Sequence, residues 1–329
     1  MRPPRVQGSG YATVRGRSSG RMATPSGERL ECARDALEGL SVGDAFGERF
    51  FVNPAVVEML VASRALAPPP WRYTDDTEMA LSIVAVLAER GGIDQDRLAQ
   101  RFAQTRDSSR GYGPGMEQLF ERVRAGEAWQ VAARNLFAGQ GSFGNGAAMR
   151  VAPLGAYFAD DLGMVVEQAT LSAEVTHVHH EGVAGAIAVA VAAALARRTR
   201  RSARRPEATA FLDAILPHVP RSDVQAGLAR ARELGDPSAV EVAVAVLGNG
   251  SRVSAQDTVP FALWCAANHL GDYEQALWLT VSGLGDRDTT CAIAGGVVAA
   301  STGVEGIPSE WRAAREPLPE IGGTAVQRA

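Results

Sequence analysis

The sequence predicts an all-α protein, and two patterns carry that prediction. Apolar residues recur at the spacing of amphipathic helices along almost the whole chain after residue 28. Alternation of apolar and polar residues, which marks a half-buried strand, is nearly missing, and no repeat of fixed period is visible. We therefore expect a compact multi-helix bundle with a central buried helix.

Several segments predict individual helices, in chain order. In ERLECARDALEGLSVGDAFG, Leu30, Leu37 and Leu40 fall on one face. In YTDDTEMALSIVAVL (73–87), Met79 and Ile83 are four residues apart and therefore also lie on one face of a helix. The segment EGVAGAIAVAVAAALA is apolar on every side, but its length of about 16 residues falls short of the roughly 20 that a membrane span needs. We expect it to be the central buried helix.

Composition indicates one large globular domain, which we place at residues 28–329. Residues 1–27 are rich in Arg, Gly, Ser and Pro, and we expect a disordered tail there. The tail has no apolar stretch typical of a secretory signal. We therefore expect a cytoplasmic protein that does not insert into a membrane, and we expect it to be a monomer.

The residue content excludes several function classes. All 33 basic residues are arginine, which excludes a lysine-containing P-loop and Schiff-base chemistry. A net charge of −4 argues against nucleic-acid binding through bulk electrostatics. The 3 cysteines have no CxxC spacing, so neither a zinc ribbon nor a disulfide framework is expected.

Two acidic clusters stand immediately before predicted helices. Thr74, Asp75 and Asp76 form the first, and Asp286, Asp288, Thr289 and Thr290 form the second. Helix capping explains either cluster alone, but capping needs one such residue, worth about 1 kcal/mol. The surplus like charges in both clusters favour a pair of divalent cations between them, and oxygen ligands suit Mg²⁺ or Mn²⁺.

Two further stretches are candidate ligand-binding sites. GQGSFGNGAAMR (139–150) matches GxGxxG, but the segment before it looks helical, so a Rossmann interpretation fails. Its glycines suit close approach of a pyrophosphate, and a plain tight loop is the alternative. In THVHHEG, one histidine is expected to bind a substrate phosphate or hydroxyl. Tyr112, between glycines, is either a wall of a base-binding cleft or part of a turn.

Four stretches together resemble the ADP-ribosylglycohydrolase family, of the dinitrogenase-reductase-activating glycohydrolase type: GLSVGDAFG, YTDDTEMAL, GSFGNGAAMRVAPLG with THVHHEGVAGA, and GLGDRDTTCAIAGG. The resemblance implies an all-α fold with a metal-containing cleft that holds two Mg²⁺ or Mn²⁺ ions. It also implies hydrolysis of the glycosidic bond between ADP-ribose and an acceptor. The substrate would be an ADP-ribosylated protein or a small ADP-ribose conjugate, and an ADP-ribosylated nucleic acid stays open.

The resemblance also carries residue roles. The implied metal ligands are Thr74, Asp75, Asp76, Asp286, Asp288 and Thr289. The implied substrate-binding residues are Ser142, Phe143, Gly144, Asn145, Gly146, Met149 and His177, with Tyr112 as a further candidate. Asp76 or Asp288 would take the proton of the attacking water.

One position departs from the family pattern. Many members carry a glutamate four residues after the last glycine of the GDAxG piece, and this chain has Phe51 there. Glu48, one helical turn earlier, is the candidate to replace it as a catalytic group. The departure leaves two alternatives open: a non-catalytic ADP-ribose-binding protein, and a metal-dependent phosphohydrolase acting on a nucleotide diphosphate.

Overall fold

The computed structural model describes residues 26–200, 202, 204–234 and 240–321. This part of the chain forms the following α-helices: α1 (Ser26–Glu48), α2 (Pro54–Ser63), α3 (Asp75–Arg90), α4 (Gln95–Thr105), α5 (Pro114–Arg124), α6 (Trp129–Arg134), α7 (Ala152–Tyr157), α8 (Leu162–Glu174), α9 (His180–Thr199), α10 (Ala208–Ile215), α11 (Asp223–Glu233), α12 (Val240–Leu247), α13 (Ala255–Asn268), α14 (Tyr273–Ser282), α15 (Arg287–Thr302) and α16 (Ser309–Ala314). Single 3₁₀ turns lie at Ser108–Arg110, Leu136–Gly139, Asn145–Ala147, Leu216–His218 and Val304–Gly306.

The all-α prediction is confirmed. Within the described ranges the only β-type pairings are two isolated bridges, Trp71 with Arg315 and Gly144 with Ser254. Helix α1 begins at Ser26, so residues 26 and 27, which we had assigned to the tail, are helical. The rest of the predicted tail, residues 1–25, lies outside the described residues.

Helix α9 is the buried central helix that the sequence predicts. In the ranges described, it is the one helix that is long and apolar enough to cross a membrane. However, 72% of its most apolar 18-residue stretch is buried inside the protein. Alanine or glycine at half of its positions lets neighbouring helices approach closely. A Cβ added at Gly155 of α7 would lie 2.0 Å from the carbonyl oxygen of Ala190, so these two helices are in backbone contact.

A row of glycines brings α1 and α15 into equally close contact. Gly39, Gly43 and Gly47 lie four residues apart on one face of α1. A Cβ at Gly43 would lie 2.2 Å from the carbonyl oxygen of Cys291, and one at Gly47 would lie 2.2 Å from that of Arg287. Since real Cβ atoms do not approach so closely, only glycine permits this crossing. It places the C-terminal end of α1 beside the first turn of α15.

We predict that Gly43→Ala destabilises the protein. In an exposed helix this change normally stabilises by about 0.5–1 kcal/mol, but here the added methyl group meets the backbone of α15. Overpacking of this kind costs roughly 1–3 kcal/mol, and the free energy of unfolding, measured in urea, should fall accordingly. Gly27→Ala is the matched control, because a Cβ on that α1 glycine meets nothing within 4 Å. Equal stability of the two variants would contradict the close crossing.

Candidate functional site

The N-terminus of α3 is organised by a carboxylate from α1. Asp44 is fully buried and accepts hydrogen bonds from the Thr74 backbone N–H at 3.0 Å and from its hydroxyl at 2.8 Å. It also accepts the Thr77 backbone N–H at 3.1 Å and the Thr77 hydroxyl at 2.5 Å. Both oxygens of Asp44 are therefore occupied in holding the first acidic cluster in place.

Asp44 is a site residue that our sequence reasoning missed. Burial raises its pKa to about 6, and the hydrogen bonds from Thr77 and Thr74 oppose that rise. The available signal was a single acidic residue on a face otherwise made of small and apolar residues, within the GLSVGDAFG stretch. Its partners could not be inferred, because they belong to a different helix.

Asp75 and Asp76 follow the N-cap residue Thr74. Asp76 is 1% exposed; its Oδ2 accepts the Thr74 hydroxyl at 3.1 Å, while its Oδ1 is buried without a hydrogen-bond partner. Burial, and then the charge of Asp44, raise the pKa of Asp75 to about 8. The pKa of Asp76 is raised well above its ordinary value by burial, followed by the charges of Asp44 and Asp288.

The second acidic cluster lies at the start of α15. Asp286 is the N-cap residue and accepts a hydrogen bond from Asn145 Nδ2 at 2.7 Å. Thr289, in the first turn, is buried. The Oδ1 atom of Asp288 is buried and, like that of Asp76, has no hydrogen-bond partner. Burial, and then the charges of Asp286 and Asp44, raise the pKa of Asp288 well above its ordinary value.

The structure thus brings together two acidic clusters that are more than 200 residues apart in the chain: the charge of Asp288 raises the pKa of Asp76, and that of Asp286 raises the pKa of Asp75. The clusters are close to each other but do not form a complete set of metal ligands. In the described ranges, no group of three His, Cys, Asp or Glu side chains is arranged to bind one ion. Two features still suit a hard cation. The available donors are oxygens, and Asp76 and Asp288 each present a buried carboxylate oxygen without a partner.

Glu48, the last residue of α1, lies on the same side as the acidic clusters. Its pKa is raised by burial and then by the charge of Asp44, with a smaller contribution from Asp286. Phe51 is 47% exposed, and the Arg287 guanidinium lies 4.7 Å from the centre of its ring. The position of the family glutamate therefore carries an apolar ring held against α15, and the nearest acidic side chain in sequence is Glu48.

The glycine-rich loop lies beside the second acidic cluster. Asn145 links the two, because it donates to Asp286 and also lies 3.0 Å from the Thr258 hydroxyl. The Gly144 N–H donates to Ser142 Oγ at 3.2 Å, and the carbonyl of Phe143 accepts the Ala255 N–H at 3.0 Å. The loop is therefore anchored at several points and does not depend on a ligand for its shape.

The remaining loop residues divide into buried and open positions. Ser142, Asn145 and Met149 are buried, whereas Phe143 is 38% exposed. The Phe143 ring lies 6.3 Å from that of Phe137, centre to centre, so two exposed aromatic rings stand side by side at the edge of the loop.

The three histidines of THVHHEG have different surroundings. His177 is buried against the loop, where a Cβ added at Gly146 would lie 3.1 Å from its Nε2. His179 is the N-cap residue of α9, and its Nδ1 accepts the Glu181 N–H. His180 lies near the Glu181 carboxylate. His177 is thus the histidine placed to contact a ligand in the loop.

Tyr112 lies in the core. It is 8% exposed, packs edge-on against Phe120 and donates its hydroxyl to Glu78 at 3.3 Å. This burial argues against Tyr112 as the wall of a base-binding cleft. Its neighbour Gly111 is the part of the turn that lies near Asp75: a Cβ there would be 4.0 Å from Asp75 Oδ1.

Comparisons with known proteins agree on one family. The ADP-ribosylglycohydrolase family model matches residues 25–328. ADP-ribosylhydrolase ARH3 of Bos taurus is 31% identical over 334 aligned residues, which cover 87% of this chain and 89% of the relative. ADP-ribosylarginine hydrolase Tri1 of Serratia proteamaculans is 25% identical, with 87% of this chain and 76% of the relative covered.

A solved structure agrees with these relatives. It is titled "ADP-ribosylglycohydrolase-related protein complex", is 26% identical with a TM-score of 0.57, and the match covers 88% of this chain and 94% of that one. The resemblance inferred from four short stretches is confirmed over nearly the whole length. The chain belongs to the ADP-ribosylglycohydrolase family and is a glycosyl hydrolase of that family.

Proposed function

We propose that this enzyme releases ADP-ribose from ADP-ribosylated proteins or small conjugates by hydrolysing the bond at the anomeric carbon, with two Mg²⁺ or Mn²⁺ ions as cofactors. The observation that carries the proposal is the meeting of Asp76 and Asp288, each with an unpartnered buried oxygen, beside the loop that Asn145 anchors. Two relatives are named for removing ADP-ribose, one of them from arginine.

The residues that would hold the cations are Thr74, Asp75, Asp76, Asp286, Asp288 and Thr289. Asp44 is not among them, because its two oxygens already accept the N–H and hydroxyl groups of Thr74 and Thr77. When bound, divalent cations supply the positive charge that lets clustered carboxylates ionise, and they lower the pKa of a bound water. Asp44 acts by orienting the first turn of α3, which carries Asp75 and Asp76.

Two proton transfers remain, and side chains of the protein would carry them out. We assign the proton of the attacking water to Asp76 or Asp288, whose carboxylates lie at the proposed cation site. A glycosidic bond also needs a proton on the leaving group. Phe51 cannot supply one, and we assign this step to Glu48, whose pKa is raised by burial and by the charge of Asp44.

The loop from Ser142 to Met149 would bind the diphosphate and ribose. Gly144 and Gly146 have no side chain and so let the loop pack against His177, whose Nε2 would lie 3.3 Å and 3.1 Å from Cβ atoms at these positions. His177, behind them, offers a ring nitrogen to a ligand oxygen. Exposed Phe143 offers an apolar face at the edge of the loop.

Phe51 also favours a second candidate, a protein that binds ADP-ribose without cleaving it. A phosphohydrolase acting on the diphosphate is a third. The three differ in product: free ADP-ribose, no product, or AMP. A panel of arginine-linked, serine-linked and nucleic-acid-linked ADP-ribose, analysed by mass spectrometry, separates them and identifies the acceptor.

We predict that Asp288→Asn reduces ADP-ribose release at least 100-fold and weakens Mg²⁺ or Mn²⁺ binding, because the amide removes a charge that the cations need. Circular dichroism should show an unchanged helical fold. Asp94→Asn is the matched control, since Asp94 caps α4 at the surface and asparagine caps equally well. Turnover by Asp288→Asn at the wild-type rate, or by the wild type in chelator, would refute the metal-dependent mechanism.

We predict that Glu48→Gln lowers kcat by about 10²–10⁴-fold, the usual contribution of a general acid, with little change in KM. The reason is that glutamine keeps the shape of the side chain but cannot donate an acidic proton. Glu58→Gln, on the exposed face of α2, is the control and should behave as the wild type. If kcat of Glu48→Gln is unchanged, the acid is another group.

A further inference from the structure

Arg150, which follows the glycine-rich loop, is a fully buried arginine without a carboxylate partner in the described ranges. Its guanidinium donates to the Ser172 carbonyl at 2.9 Å and to Thr176 Oγ1 at 2.9 Å. It also contacts Met79 Sδ and lies 4.6 Å from the centre of the Phe102 ring. Full burial of a guanidinium costs several kcal/mol, and the charge of Asp75 offsets part of that cost.

The hydrogen bonds of Thr176 have a fixed direction. A guanidinium can only donate, so Thr176 Oγ1 accepts from Arg150. The hydroxyl's own proton then has one remaining acceptor in the described structure, His177 Nδ1, at 2.7 Å. The hydroxyl donates to Nδ1 in the arrangement that satisfies its proton, because the reverse direction would leave that proton without an acceptor. The neutral imidazole then carries its own proton on Nε2.

The Nε2 atom faces the candidate ligand loop. A Cβ added at Gly144 would lie 3.3 Å from it, and one at Gly146 would lie 3.1 Å from it. Within the part of the chain that the structure describes, Nε2 has no hydrogen-bond partner, although His177 is 2% exposed. In this tautomer an N–H group lies against the two loop glycines and has no acceptor in the described part of the chain.

We propose that Arg150 and Thr176 are positioning residues that hold His177 in its Nε2–H tautomer, so that it always donates to an oxygen of the bound diphosphate or ribose. The identity of the ligand rests on the proposed function; the tautomer does not. Burial, and then the charge of Arg150, lower the pKa of His177 to about 3, which keeps the ring neutral across physiological pH. The donor is therefore present before the ligand arrives.

The test is the protonation site of His177, measured by long-range ¹H–¹⁵N correlation NMR on protein with ¹⁵N-labelled histidine. The sequence has 5 histidines, and His177→Gln identifies the signals of this one. We expect the Nε2–H tautomer in the wild type and in Thr176→Ser, which keeps the hydroxyl. Thr176→Val, which has the same shape without the hydroxyl, should show a mixture of the two tautomers, because nothing then fixes Nδ1 as the acceptor.

A proton on Nδ1 in the wild type overturns the proposal, as does an unchanged tautomer in a folded Thr176→Val. The wild-type and Thr176→Ser spectra decide the matter even if the valine variant does not fold. A second measurement separates this proposal from the proposed function. The Kd of ADP-ribose should weaken about two- to fivefold in Thr176→Val, since only part of the population then carries the Nε2–H donor, and not in Thr176→Ser. If the wild type shows the Nε2–H tautomer but binds no ADP-ribose, the function fails and the tautomer assignment stands.

Discussion

The arrangement of this site depends on the crossing of α1 and α15 at backbone contact. Gly43 and Gly47 have no side chains, so the two helices lie close enough for α1 to deliver Asp44 and Glu48 to the first turn of α15. Asp44 in turn binds the first turn of α3. The row of glycines therefore joins α1 to α15, and Asp44 joins α1 to α3. These two contacts determine where the carboxylates of all three helices lie.

Concentrating acidic groups in this way opposes folding unless something compensates. Burial and mutual repulsion raise the pKa values of Asp76 and Asp288 in the protein alone. Helix capping needs only one acceptor per helix, and Thr74 and Asp286 already stand at the N-cap positions. The proposed cation binding would account for the surplus carboxylates, and the proposed ligand loop lies beside them.

Much of this could be predicted from the sequence, for reasons that are local. Helical periodicity identified the fold class, and the unusual density of Asp and Thr before Met79 and before Cys291 identified both acidic clusters. The role of Asp44 could not be predicted, because its partners come from α3. The same applies to Arg150, whose partner Thr176 lies beyond α7 and α8 in the chain, and to Tyr112, for which a cleft wall and a turn were both open until its packing against Phe120 placed it in the core.

The central claim is that divalent cations bind where Asp75–Asp76 and Asp286–Asp288 meet. Crystals grown with Mn²⁺, with diffraction data collected at the manganese absorption edge, test it most directly. The account predicts strong anomalous peaks between these two pairs, within bonding distance of the Oδ1 atoms of Asp76 and Asp288. Well-diffracting crystals without such peaks, or with manganese bound only elsewhere on the surface, would contradict it.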